Sequence, residues 1–156
     1  MLGCLRTAEL PLPVAGESEF AYTRRCISGQ VKELVDGLAI KGLVVGGAGA
    51  NPVRPVALYG QRFYPDLAVF YFRSRVLAIE VKYLGRTQRQ NSITTALGQA
   101  YVYQCGGYPL TAALLVDLAG RMTDGDVRHA EKVSRSEGIP IIVRRRSGAL
   151  FSQHPS

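Results

Sequence analysis

Two short apolar runs, Leu67–Phe72 and Val76–Val81, flank the polar trio Arg73-Ser74-Arg75 and constrain this chain more than any other stretch. Both are rich in β-branched and aromatic residues, so the pair reads as a β-hairpin turning at the trio. Side chains alternate faces along a strand. Glu80 and Lys82 therefore share one face of the second strand, while Ile79 and Val81 point to the other. A hairpin folds the start of its first strand back beside the end of its second, which brings Asp66 close to Glu80. Two carboxylates and a lysine are expected to converge inside an otherwise apolar sheet.

Like charges gathered in a low-dielectric place are costly unless something compensates them. A divalent metal does so, since Mg²⁺ is held by one or two carboxylates together with substrate phosphates and water. The lysine is then placed to hold or polarise an attacking water, or to stabilise charge developing on a phosphate. A solvated hairpin carrying a surface Glu-x-Lys pair is the plainer reading, but it explains less well why charges interrupt the apolar second strand.

Pro65-Asp66, the intervening residues 67–79, and then Glu80-Val81-Lys82 resemble the signature of the PD-(D/E)XK nuclease superfamily, the restriction-endonuclease-like fold. Further on, Gln99 and Tyr103 are four apart and share a face of an expected helix. This Gln-x-x-x-Tyr arrangement is similar to a motif that follows the active-site strand in RecB-like and related members. The resemblance implies metal binding by Asp66, Glu80 and the Val81 backbone carbonyl. It implies water activation and transition-state stabilisation by Lys82, with Gln99 and Tyr103 steadying the site and contacting DNA. It also implies an acidic metal ligand on the first helix. There Gln30 occupies the expected flank but is not acidic, Glu33 points away from the apolar stripe, and Glu19 qualifies only if the helix is long.

At 156 residues the chain suits one domain with a real core. It is 47% hydrophobic and 20% charged, without low-complexity tracts. A net charge of +7 favours a polyanionic partner, nucleic acid ahead of an anionic membrane. Cys4, Cys26 and Cys105 are odd in number and widely spaced, which suggests reduced thiols in a cytoplasmic protein. No stretch reaches the length of a membrane span.

In chain order, residues 1–16 read as an irregular lead-in, residues 17–150 as a single domain and residues 151–156 as a tail containing His154. Ser18 is a candidate cap for a first helix whose apolar stripe is Ile27, Val31, Leu34 and Leu38, with Ser28-Gly29 a possible break and Gly42 its end. Leu43-Val44-Val45 reads as a strand. The loop Gly46–Asn51 lacks the Gly-Lys-Ser/Thr ending of a phosphate-binding P-loop, and Arg54 beyond it is a candidate backbone contact. Val56–Tyr59 is a short strand. Arg86 and Arg89, in the polar stretch after Lys82, either hold phosphates beside the scissile bond or belong to a solvated connection. A helix over residues 92–104 ends at Gly106-Gly107, and a buried strand over residues 108–117 follows it, a parallel crossover. Asp117 reads as turn chemistry ahead of an outer-shell carboxylate. A last helix spans residues 124–137, with His129 on its surface, and Ile141-Ile142-Val143 joins the sheet edge. Arg144-Arg145-Arg146 is either a solvated charge run or a backbone-contacting patch.

The expected architecture is α/β, a restriction-endonuclease-like core with a mixed central β-sheet flanked by helices. The expected activity is that of a metal-dependent deoxyribonuclease, an endonuclease using Mg²⁺ or Mn²⁺, with DNA as partner and a homodimer as the working form. RNA stays open, because phosphate electrostatics do not distinguish the sugars. The alternative is a non-catalytic nucleic-acid-binding or assembly subunit with the same fold.

Overall fold

The computed structural model describes residues 10–47, 53–85, 89–146 and 150–153. Cys4, Arg86, His154 and most of the Gly46–Asn51 loop lie outside these residues. Ser18 caps the first helix as expected, its hydroxyl accepting the Ala21 N–H at 3.2 Å. The helix, α1, runs through Glu19–Tyr22, a π-helical turn Thr23–Ile27 and Ser28–Gly37. The irregularity thus precedes Ser28-Gly29. The π turn rotates the inward face, so that Tyr22, Cys26, Ile27, Val31 and Val35 are buried while Leu38 is exposed.

Strand β1 (Leu43–Gly47) precedes a small ribbon of β2 (Val56–Leu58) and β3 (Gln61–Phe63). The central hairpin is β4 (Leu67–Tyr71) and β5 (Ser74–Leu84). Helix α2 (Arg89–Cys105), β6 (Leu110–Asp117), α3 (Asp124–Glu137), β7 (Ile141–Arg144) and β8 (Leu150–Gln153) complete the order. The main sheet has six strands in the order β1-β4-β5-β6-β7-β8. The β5–β6 and β6–β7 pairs are parallel and the others antiparallel, a mixed sheet flanked by helices.

The hairpin forms with the expected pairing of its far ends, Leu67 lying opposite Ile79. Its turn is tighter and earlier than expected. Tyr71 pairs with Ser74, so Phe72 and Arg73 make the loop, and Ser74 and Arg75 already belong to β5. Phe72 adopts a φ of 52°, a cost offset where its N–H meets the Gly42 carbonyl at 2.6 Å and its ring covers glycine, which leaves it room.

Alternation along β5 and β6 sorts the core onto two faces. Ile79, Val81, Ala112, Leu114 and Val116 pack against α1. Ala78 packs with Tyr103 of α2, and Leu84, Ala113 and Leu115 pack with Ala96 and the apolar side of α3. Glu80 therefore enters the α2 face of a strand buried on both sides. β7 does not end the sheet, because β8 pairs beyond it. The arginine run is not simply solvated: Arg144 is buried and donates to the Leu10 carbonyl, and Arg145 pairs with Asp124 at 2.8 Å. Cys26 is buried, Cys105 exposed, and both are free thiols. Among the described residues no helix is long and apolar enough to cross a membrane.

Candidate active site

β4 begins at Leu67, whereas its neighbour β5 continues past Ile79 to Leu84. The final stretch of β5 thus has one flank without a partner strand, and its backbone donors there need other acceptors. Two carboxylates supply them. Asp66 Oδ2 accepts the Val81 N–H at 2.8 Å, and Glu19 Oε2 accepts the Tyr83 N–H at 2.6 Å. Of the three first-helix residues left open by the sequence, Glu19 is the one brought to this place. Glu33 is exposed farther along α1, and Gln30 lies on the same distant segment.

Beside Asp66 lies Glu80, 1% exposed. Its Oε1 is 2.9 Å from Lys82 Nζ, which is also 4.0 Å from Glu19 Oε1. Its Oε2 is 2.8 Å from the Tyr103 hydroxyl, which in turn lies 3.0 Å from the Tyr64 carbonyl oxygen. Tyr103 is itself fully buried and belongs to the core of the α2 face. Sequence alone had no route to the Tyr64 carbonyl as a partner, since a backbone acceptor leaves no residue-type signal. Gln99, one helical turn before Tyr103, holds a buried side-chain oxygen without a hydrogen bond.

Gly47 has a φ of 114° and packs directly on the Asp66 carbonyl and Leu67 Cα, where a Cβ would collide. It therefore sets how closely β1 approaches Asp66. Asp66, Glu80, Lys82 and Tyr103 are brought together as expected. Arg89 opens α2, with its side chain outside the description, and Asp117 serves its own turn by accepting the Arg121 and Met122 N–H groups.

Electrostatically, three carboxylates share one ammonium. Burial, then the Asp66 charge, pushes Glu80 up to about 7 despite the opposing Lys82 and Tyr103 contacts. Burial also raises Asp66, against the pull of the Val81 N–H and Lys82. For Lys82, burial works downward but is outweighed by Glu80, Asp66 and Glu19, so the ammonium is held charged. The cluster carries excess negative charge and hard oxygen donors.

Among the described residues no three His, Cys, Asp or Glu side chains are already gathered as a ligating cluster; Lys82 Nζ stands between Glu80 and Glu19. A separate cleft of about 580 Å³ between α2 and α3 is lined by Ile93, Leu97, Met122, His129 and Val133 among others and includes none of these site residues. Its mainly apolar lining lacks the convergent charges that mark the end of β5, which makes the latter the stronger candidate site. Comparison of the chain with protein-family models, with curated proteins and with solved structures finds no match.

Proposed function

We propose that this protein is a metal-dependent nuclease of the PD-(D/E)XK type, with a restriction-endonuclease-like core, hydrolysing phosphodiester bonds in DNA. The observation that carries the reading is the coupling of half-buried Asp66 with buried Glu80 beside a charged Lys82, at the uncovered end of β5. The donor set fits Mg²⁺ or Mn²⁺, both of which favour oxygen ligands. Asp66 and Glu80 would hold the ion, with the Val81 carbonyl, which a strand turns to the same flank as its N–H. The bound ion supplies charge neutralisation and Lewis acidity at the scissile phosphate.

The chain's own groups do the rest. Tyr103 orients Glu80 from within the core, so the carboxylate cannot swing away from the site. Lys82 positions the water and offsets the charge that builds on phosphate oxygen in the pentacovalent transition state. Glu19 helps keep its amine protonated and anchors α1 to the β5 flank. The buried Gln99 oxygen, one helical turn before Tyr103, is an acceptor for a water held within the site. A net charge of +7 suits a polyanionic substrate.

The test is cleavage of single-stranded, duplex, flapped and four-way-junction DNA in Mg²⁺, Mn²⁺ or EDTA, with Lys82→Ala in parallel. Metal-dependent cutting lost in the variant is the expected result. Cutting that persists in EDTA or in Lys82→Ala rejects the assignment. DNA binding without cutting of any substrate favours a non-catalytic nucleic-acid-binding subunit, and size-exclusion chromatography tests the homodimer.

A further inference from the structure

The β2–β3 ribbon joins directly onto the segment that carries Asp66, and its tip is built against local conformational preference. Leu58 pairs with Gln61, so Tyr59 and Gly60 form a two-residue turn with φ values of 49° and 78°. Such a turn favours Asn or Gly at its first position, and a bulky aromatic there is strained. Tyr59 is 96% exposed and makes no ring contact or hydrogen bond among the described residues. Among the described residues nothing offsets that strain. Strain without an internal return points to an external one.

The rest of the ribbon is suited to present this ring. Val56 and Phe63, a cross-strand pair, face the core beside α2, and Gly106 leaves the room that Val56 fills. Arg75 Nη2 holds the Pro55 carbonyl at 3.0 Å, so the base of the ribbon is fixed. The opposite face carries Ala57 paired with Arg62, whose exposed guanidinium has no ion pair among the described residues. After β3 come Tyr64, 54% exposed, Pro65 and Asp66. Asp66 lies seven positions on from Tyr59, a reach of roughly 25 Å at most.

We infer that this ribbon is a substrate arm: Tyr59 stacks on an unpaired base of a DNA strand, and Arg62 contacts that strand's backbone near the scissile bond. The inference rests on the nuclease reading and names its substrate class, DNA with unpaired nucleotides at the cleavage point. A single aromatic tip suits base stacking, which accepts any base through its π-face. One outward arginine on three-residue strands lacks the set of side chains needed to read a duplex groove.

The experiment measures binding in EDTA, by fluorescence anisotropy, of labelled oligothymidylate and of a blunt duplex of equal length. Wild type should prefer the oligothymidylate. Tyr59→Asn should weaken that binding about tenfold while raising the melting temperature, because Asn tolerates the left-handed turn. Tyr59→Phe should keep wild-type affinity, and Arg62→Ala should reduce the slope of log affinity against log salt by about 0.7. Unchanged affinity in Tyr59→Asn, preference for the duplex, or no binding of oligothymidylate by wild type overturns the arm. EDTA separates the two readings. Tyr59-dependent binding without metal-dependent cutting removes the nuclease and keeps the arm. Cutting lost in Lys82→Ala, with binding indifferent to Tyr59, keeps the nuclease and removes the arm.

Discussion

Glu80 and Asp117 lie on neighbouring parallel strands, are each 1% exposed, and yet are built in opposite ways. Asp117 ends β6 and accepts two backbone N–H groups of its own turn, Arg121 at 3.2 Å and Met122 at 2.8 Å. Glu80 sits within β5 and has only side-chain partners, Lys82 and Tyr103, with a second carboxyl pressing on it. A carboxylate with both oxygens tied to amides of its own turn shapes a loop and is committed there, whereas Asp66 gives only Oδ2 to an amide, that of Val81. One held by side chains against a like charge can exchange partners with a ligand at modest cost. Burial by itself therefore does not mark a site; a second carboxyl and a charged amine crowded against the first do.

That contrast can be broken at either end. The largest effect is expected in catalysis: Glu80→Gln or Lys82→Ala should lower metal-dependent cleavage on the order of 10³-fold, while circular dichroism shows the fold retained. Asp117→Ala should do the reverse, orphaning two backbone donors and costing about 3 kcal/mol of stability in urea unfolding, with the residual folded fraction still able to cleave. A large catalytic loss in Asp117→Ala at full folding would erase the distinction.

A smaller effect is expected from pH. The raised Glu80 carboxyl, faced by Asp66, Lys82 and Tyr103, favours the folded state in its protonated form. Its contribution is present below its usual value of 4.5 and is lost as pH rises to about 7. In EDTA, wild type should lose about 3 kcal/mol relative to Glu80→Gln across that window, read as a divergence of melting temperatures. Mg²⁺ at pH 8 should recover wild type and not the variant. Parallel curves would mean that Glu80 is as fully satisfied as Asp117. Least costly should be Tyr103→Phe, at about 1 kcal/mol of stability. It sharpens the comparison by testing whether the phenol orients Glu80: metal affinity should fall more than stability does.

Much of this arrangement was legible because period-two alternation is a local property. The hairpin, the common face of Glu80 and Lys82, and the closeness of Asp66 all follow from where apolar residues recur. The last helix was equally legible, since Thr123 caps it reciprocally with Asp126 and Gly138 closes it at a φ of 67°. The turn at Phe72 was not, because its positive φ is tolerated only through contacts with Gly42 from a distant part of the chain. Arg144 looked like a surface charge until the Leu10 carbonyl, from the lead-in, came to meet it. The edge strand Leu150–Gln153 is stabilised by pairing to β7 rather than by a strong pattern of its own.

Which residue types could converge on the β5 strand was already written in the chain, since alternation and hairpin geometry need no knowledge of the remaining residues. Tertiary packing alone selects Glu19, among the three first-helix candidates, to reach the β5 flank and brings the Tyr64 carbonyl to the Tyr103 hydroxyl. Those choices depend on β4 stopping short of the end of β5. The backbone donors uncovered there must be satisfied by whatever side chains the packing of α1 and the hairpin brings within reach, and no local sequence pattern encodes that meeting.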